Sequence, residues 1–202
     1  MQQTILPNAK QWMRAVAGRQ GQEEARLFLA RVQARYDELL LQAQRYENKA
    51  LRYHFEHNIL PAIAAYSILS KDGIQKGPAL EILDELLESG IESERRMYRF
   101  WGRFPFFFDM MKLMLKPMME NRYPERWKIE WLDPGPDVIG LNCRACFYVD
   151  KLGEYGFPEL TPHFCRLDEL LAAEAASNIR FERKQTLATG GMICDFRYVR
   201  VK

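Results

Sequence analysis

Several features that mark specialised proteins are missing from this sequence. It lacks a long apolar run, an excess of charge of one sign and an internal repeat, and it has only three histidines. A transmembrane helix needs about 18 or more consecutive apolar residues, so we expect no membrane span. With 29 Lys and Arg against 27 Asp and Glu, the net charge of +2 gives no electrostatic signature of a nucleic-acid partner, and we expect none.

Signals of secretion are also missing. The N-terminus lacks the apolar run of a signal peptide, and no Asn-X-Ser/Thr sequon is present. These absences predict a cytoplasmic protein. In that compartment the four cysteines are expected to be thiols, ligands or nucleophiles rather than disulfides. They are Cys143, Cys146, Cys165 and Cys194.

The apolar content is sufficient for a hydrophobic core. The pattern of secondary-structure signals along the chain changes near residue 120. Hydrophobic residues make up 48% of 202 residues, which predicts a single domain over 1–202. Residues 1–120 form its helical part. Helix formers without Gly or Pro fill 22–52, and this helical stretch continues to a kink near Pro61. Further helices are predicted over 79–101 and 106–119.

Residues 121–202 form the mixed part of the predicted domain. Alternating apolar and polar residues predict strands over 127–131, 179–187 and 194–201, the last two joined as a hairpin by a turn at 188–191. A helix is predicted over 158–176, and 139–152 fits either a strand leading into a helix or a helix alone. The predicted class is α+β: a helical N-terminal half packed on a small antiparallel sheet with a C-terminal β-hairpin.

Two of the histidines, His54 and His57, are three positions apart. On an α-helix that spacing places both on one face, where they would line a pocket or simply be polar helix residues. The segment does not match the HExxH pattern of zinc proteases, although a metal-binding use stays open.

The cysteines allow more than one chemistry. Cys143 and Cys146 have CxxC spacing, but no βαβ unit and no second CxxC accompany them, so a redox, zinc or plain buried use stays open. Cys165 and Asp168 share a helix face. A cysteine nucleophile needs a base or a lowered pKa, and His54 or His57 could supply the base only through tertiary contact.

The Gly190–Gly191 turn is the most distinctive stretch. Consecutive N–H groups in such a turn can form an anion-binding nest for a substrate carboxylate, and the alternative is an ordinary hairpin turn. Cys194 and Asp195 follow at once, on opposite sides of an alternating strand.

Residues 104–119 hold four Phe and five Met. Such a stripe is most often core, and a lid, a partner groove or a membrane-surface helix are the alternatives.

Four blocks together resemble the L-2-amino-thiazoline-4-carboxylic acid hydrolase family, over about residues 50–200. They are HFEHNILPAIAAY at 54–66, GFPELTPHFCRLD at 156–168, FERKQTLATGG at 181–191 and CDF at 194–196. The last two blocks are the most specific part of the resemblance. Residues 1–49 match nothing in it.

The resemblance implies hydrolytic opening of a 2-aminothiazoline-4-carboxylate to a carbamoyl-cysteine. Mapped on the matching positions, it suggests a general base at His57 and a cysteine nucleophile at Cys165 or Cys194, with Asp195 in the same catalytic group. Four residues would bind the substrate, His54, Thr186, Gly190 and Gly191, and the Gly190–Gly191 turn could hold its carboxylate.

The resulting hypothesis is a hydrolase of a small heterocyclic carboxylate with a Cys/His site, using no cofactor and no metal. It predicts that His57, Cys165 and Cys194 converge on one pocket. A non-catalytic ligand-binding module would instead have scattered cysteines, and a Cys/His metalloprotein would hold a bound ion. A homodimer is left open.

Overall fold

The structure, a computed structural model, describes residues 5–122 and 126–201. The chain forms two compact units that meet in sequence between Ile91 and Glu92. The first unit is helical, and the second combines helices with a four-stranded antiparallel sheet. The predicted α+β class is confirmed.

The first unit is built around one buried helix. Its helices are α1 (Ala9–Gln20), α2 (Gln22–Gln42), α3 (Lys49–Tyr53), a π-helical turn (His54–Ile59), α4 (Leu60–Lys71) and α5 (Lys76–Gly90). Every residue of α4 from Leu60 to Leu69 is buried, and α2 and α5 both pack against it. The largely apolar sequence of α4 is what such a central position requires.

The predicted helical stretch from 22 to the kink is wrong in its middle. Helix α2 ends at Gln42 because Ala43 adopts an extended conformation, and the chain becomes helical again only at α3. The side-chain oxygen of Asn48 accepts hydrogen bonds from the N–H groups of Ala50 and Leu51. This cap satisfies two donors of the first turn and sets the start of α3.

The kink predicted near Pro61 is a π-helical turn. The N–H of Leu60 donates to the carbonyl of Phe55, five residues back. Proline has no N–H, so Pro61 cannot donate to the carbonyl of Glu56 in the next position of that pattern. The hydroxyl of Tyr36 donates to this carbonyl instead, at 2.9 Å.

The second unit joins helices to the sheet. Its elements are α6 (Glu92–Trp101), α7 (Phe107–Arg122), β1 (Ile129–Leu132), β2 (Val138–Cys143), α8 (Phe147–Glu154), a 3₁₀ turn (Pro158–Leu160), α9 (Thr161–Ala173), β3 (Ile179–Glu182), a second 3₁₀ turn (Leu187–Thr189) and β4 (Cys194–Arg200). The strand order is β1-β2-β4-β3, and each neighbouring pair is antiparallel.

Pairing of β3 with β4 confirms the predicted C-terminal hairpin, but its connection is longer than expected. Strand β3 ends at Glu182, which lies opposite Arg197. The first half of β4 pairs only with β2, where Cys143 lies opposite Cys194. The segment 139–152 is a strand followed by a helix, the first of the two arrangements that the sequence left open.

Helix α7 uses its Phe and Met residues in two ways. Phe107, Phe108, Met111 and Leu115 join the core over the sheet, together with Ile139, Leu141, Ala175 and Ile179. Leu113 and Met114 are exposed, as are Phe104 and Phe106 just before the helix. The prediction that this segment is simply core is therefore correct for one face only. Within the described residues, no helix is both long and apolar enough to cross a bilayer.

The predicted helix over 79–101 is two helices, α5 and α6, with a break at Ile91. Helix α6 ends where Gly102 comes close to the segment after α9. A Cβ at this position would lie 2.7 Å from the Cβ of Ala175. The carbonyl of Gly102 accepts hydrogen bonds from the side chains of Ser177 and Asn178.

Candidate active site

The four cysteines come together at one end of the sheet in the second unit. Cys143 and Cys194 are cross-strand partners on β2 and β4, and both are buried. Cys146 is the residue immediately before α8, and Cys165 lies near the start of α9. Each thiol is close enough to others of the four for their charges to interact. We call these four residues the cysteine cluster.

Burial keeps the thiols of the cluster protonated at neutral pH. It raises the pKa of Cys143 to about 12, of Cys146 to about 11 and of Cys165 to about 12, and it raises the pKa of Cys194 as well. A thiol is a weak nucleophile compared with its thiolate. Any reaction at a cysteine here therefore needs a nearby group to accept the proton.

Asp168 is the carboxyl group of the cluster. Burial raises its pKa to about 6, and the adjacent Arg183 opposes that rise without cancelling it. The side chain nevertheless keeps 39% of its accessible surface, so solvent and small solutes can reach it. A carboxyl with a pKa near 6 is mostly ionised at pH 7 and can both accept and return a proton.

Arg183 is a buried cation that binds the start of α9 to the sheet. Only 4% of its side chain is exposed. Its guanidinium donates to Asp168 at 3.2 Å, to Glu169 at 2.7 Å and to the carbonyl of Cys165 at 3.0 Å. It also lies over the ring of Phe196, 5.3 Å from the centroid. A charge this deep is stable because its donors are satisfied.

Arg183 is not among the predicted site residues, although the sequence pattern contains a signal for it. Ile179 of the core and Phe181, whose ring contacts those of Phe196 and Tyr198, are alternate residues of β3. The same alternation places Arg183 on that side, one position past the strand end. An arginine in phase with an apolar strand face is a buried cation and requires an acidic partner.

A second effect acts on the pKa of the Cys146 thiol. The N–H groups of Tyr148 and Val149, in the first turn of α8, lower its pKa, although burial outweighs them. These N–H groups do not form cap hydrogen bonds with the sulfur. Helix N-termini favour anions, but burial outweighs this effect and the Cys146 thiol stays protonated at neutral pH.

The anion nest predicted at Gly190–Gly191 is not formed in the loop between β3 and β4. The N–H of Gly190 donates to the carbonyl of Leu187, and the N–H of Gly191 donates to the carbonyl of Thr186 at 2.8 Å. Because both groups are used within the loop, they do not form an open nest. Gly190 has φ +86°, and a Cβ on Gly191 would lie 2.8 Å from the Thr186 carbonyl oxygen, so both positions favour glycine.

Asp195 and Thr186 also take part in holding this loop. The Asp195 carboxylate accepts hydrogen bonds from the N–H groups of Lys184 and Gln185, at 3.0 and 2.9 Å. The hydroxyl of Thr186 lies 3.1 Å from that of Thr189. The loop in turn contacts the cluster, since the N–H of Leu187 donates to the Cys194 sulfur at 3.3 Å.

The two predicted site histidines belong to the first unit, and they do not share a face. His54 is buried, whereas His57 is exposed and stacks on Tyr53 with ring centroids 4.9 Å apart. The prediction of a common face assumed α-helical spacing, and the wider π-helical turn separates the two side chains.

No group of three or more His, Cys, Asp and Glu side chains is arranged to hold a metal ion in residues 5–122 and 126–201. A groove of about 700 Å³ in the second unit lies between α9 and β3. Glu169 and Arg183 line it. The groove thus reaches the cation that binds Asp168, and none of the four cysteines lines it.

Comparisons with known proteins were made on the whole chain. The solved structures that match include two Fe(II) unliganded H-NOX proteins from K. algicida, one of them a mutant. Each is 10% identical, with 96% of this chain and 95% of that chain covered and a TM-score of 0.38. A similarity this weak carries no argument about function. No curated protein matches.

The family model of the L-2-amino-thiazoline-4-carboxylic acid hydrolases matches residues 52–198, which include the whole cysteine cluster, Asp168 and Arg183. This match confirms the resemblance found in the sequence. The chain belongs to the L-2-amino-thiazoline-4-carboxylic acid hydrolase family.

Proposed function

We propose that the chain hydrolyses a small cyclic amidine carboxylate of the 2-aminothiazoline-4-carboxylate kind, with its site at the cysteine cluster. The observation that carries this proposal is the convergence of four thiols on one carboxyl group, Asp168, and one buried cation, Arg183. Family membership supports the substrate class, and the cluster contains a thiol and a proton acceptor that such a reaction can use.

Opening the ring of this substrate adds one water molecule. The amidine carbon gains an oxygen, its ring bond to sulfur or to nitrogen breaks, and the leaving atom takes a proton. The product is a carbamoyl-cysteine. The reaction needs a nucleophile for the amidine carbon, a group that moves a proton, and contacts for the carboxylate.

Cys165 is the thiol best placed for the attack because it lies one helical turn before Asp168. As its sulfur bonds to the amidine carbon, its proton moves to the Asp168 carboxylate, which passes it to the leaving ring atom. Water then attacks the same carbon and expels the Cys165 sulfur, which regains a proton. The net change is the addition of one water. Cys194 is the alternative nucleophile.

Arg183 and the loop 183–193 act by positioning. Arg183 binds both Asp168 and the carbonyl of Cys165, so it sets the distance between nucleophile and proton acceptor. Asp195, Thr186, Gly190 and Gly191 keep the loop in the shape that supports Cys194. The general-base role of His57 and the substrate-binding role of His54 stay predictions.

Turnover of L-2-aminothiazoline-4-carboxylate by the purified protein, followed by mass spectrometry of the product, tests this function. Asp168→Asn should lower kcat about 10²–10⁴-fold, and Cys165→Ala should abolish turnover and any covalent adduct. Leu41→Ala, on an exposed site of α2, is the control that should keep full activity.

Full activity in both Cys165→Ala and Cys194→Ala would contradict the cysteine mechanism. Saturable binding of the substrate without turnover would favour the non-catalytic binding module.

A further inference from the structure

Four aromatic side chains of the second unit form an exposed patch where α6 ends and α7 begins. Ring centroids lie 5.2 Å apart for Phe100 and Trp101, 5.6 Å for Phe100 and Phe104, and 5.4 Å for Phe104 and Phe106. About half of the Phe100 and Phe106 side chains is exposed, 53% and 50%. We call these four residues the aromatic patch. Contiguous exposed apolar surface of this kind marks an interaction site.

The segment that carries the aromatic patch has charges of one sign. Residues 95–108 read RRMYRFWGRFPFFF and contain four arginines and no acidic residue. Arg95 and Arg99 pair with Glu174 on the α9 side. For Arg96 and Arg103 no ion pair is found within the described ranges, and both are exposed beside the aromatic rings. Arg96 lies one helical turn before Phe100.

The aromatic patch lies on a tightly packed part of the second unit. Glu174 anchors α6 through its two arginines, and Gly102 packs directly against Ala175. Immediately after Phe106 the chain enters the core, where Phe107 and Phe108 are buried. The exposed rings are therefore presented by a fixed part of the fold, so their binding to a partner would cost little conformational entropy.

We propose that the aromatic patch docks on the surface of an anionic lipid bilayer. The rings would lie at the boundary between headgroups and acyl chains, and Arg96 and Arg103 would contact lipid phosphates. Aromatic side chains prefer this boundary, and arginines beside them extend their charge to the headgroups. Basic residues near an anionic leaflet add attraction.

Charge complementarity favours the bilayer over a second copy of the chain. In a symmetric dimer the same surface would meet itself and bring Arg96 and Arg103 close to their own copies. Like charges across an interface weaken it, whereas an anionic leaflet supplies the opposite charge. The inference is independent of the proposed hydrolase reaction.

Co-sedimentation with vesicles tests the proposal on the full chain. We expect binding to vesicles of phosphatidylcholine and phosphatidylglycerol, with weak binding to phosphatidylcholine alone and loss of binding at high salt. Arg96→Gln with Arg103→Gln should weaken binding about 30-fold, and Phe104→Ser with Phe106→Ser should weaken it at least about tenfold. Leu41→Ser, at an apolar site on α2 that is more exposed than Phe104 and Phe106, is the control and should bind like the unchanged protein.

Trp101 provides a direct readout of depth. Its fluorescence should shift to the blue on anionic vesicles and be quenched by brominated lipids, and Trp101→Phe should remove that change. Absence of binding to anionic vesicles would overturn the proposal, as would binding that the Phe and Arg variants leave unchanged. A dimer that the same variants convert to monomer, without vesicle binding, would assign the patch to a second copy.

Discussion

Asp168 and Glu174 are acidic residues in and just after the C-terminal half of α9, yet their surroundings move their pKa values in opposite directions. Burial raises the pKa of Asp168 to about 6, whereas hydrogen bonds from Arg99 and Arg95 lower that of Glu174 to about 2. The first carboxyl can exchange protons near neutrality and the second cannot. Glu174 is thus a structural anion, and Asp168 is suited to acid–base chemistry.

The activity of the chain should rise with pH through about 6, because Asp168 must lose its proton before it can accept one from a thiol. Arg183→Gln removes the positive charge that holds this pKa down, so the midpoint should move to higher pH by about 1–3 units. Arg183→Lys keeps the charge and should show a smaller shift. The dependence of kcat/KM on pH measures these midpoints.

A readout that does not require activity is the NMR titration of the Asp168 carboxyl carbon in the same variants. An unchanged midpoint in Arg183→Gln would show that the two side chains are not coupled.

Among the glycines, Gly102 is the one at which packing leaves the least space for a side chain. An added Cβ would lie 2.6 Å from the Tyr98 carbonyl oxygen and 2.8 Å from the Cα of Ala175. Both neighbours are backbone or close to it and cannot move away at low cost. We expect Gly102→Ala to lower the free energy of unfolding by about 1–3 kcal/mol, measured by urea denaturation. Gly153→Ala, at an open site, is the comparison and should cost little. Equal stability of the two variants would contradict this account.

At the scale of the elements, the π-helical turn has a backbone that depends on a neighbouring helix. Its Glu56 carbonyl cannot use Pro61 as a donor and relies on the Tyr36 hydroxyl of α2. Tyr36→Phe should lower the free energy of unfolding by about 1–3 kcal/mol, because it leaves a part-buried carbonyl unsatisfied. Tyr53→Phe, at an exposed position, is the control. If the two variants unfold at the same urea concentration, the carbonyl has another donor.

Each of the two units has a core of its own. In the second unit that core lies between α7 and the sheet, and it includes Phe108, Leu115, Ile139 and Leu141. A chain of residues 92–202 should therefore fold alone and unfold cooperatively, as judged by circular dichroism during thermal denaturation. A fragment with broad, non-cooperative unfolding would show that the second unit needs the first.

At the level of the whole molecule, local signals predicted most of the elements but not their exact ends. Residues of high helix propensity predicted α2, α5 and α7, and the alternation of apolar and polar residues predicted β1, β3 and β4. Both signals are properties of short segments. The breaks at Ala43 and Ile91 escaped prediction. They depend on how helices reverse and pack, which no short window records.

The features of the candidate site also divide into those that the sequence predicted and those that it did not. The family, the α+β class and the list of reactive residues could be taken from the sequence, since they depend on residue type and spacing. Tertiary structure alone decided that Cys143 faces Cys194 and that Arg183 binds Asp168, because strand register joins residues distant in the chain. It also decided that the N–H groups of Gly190 and Gly191 are already used, since hydrogen-bond partners follow from backbone angles rather than from residue type.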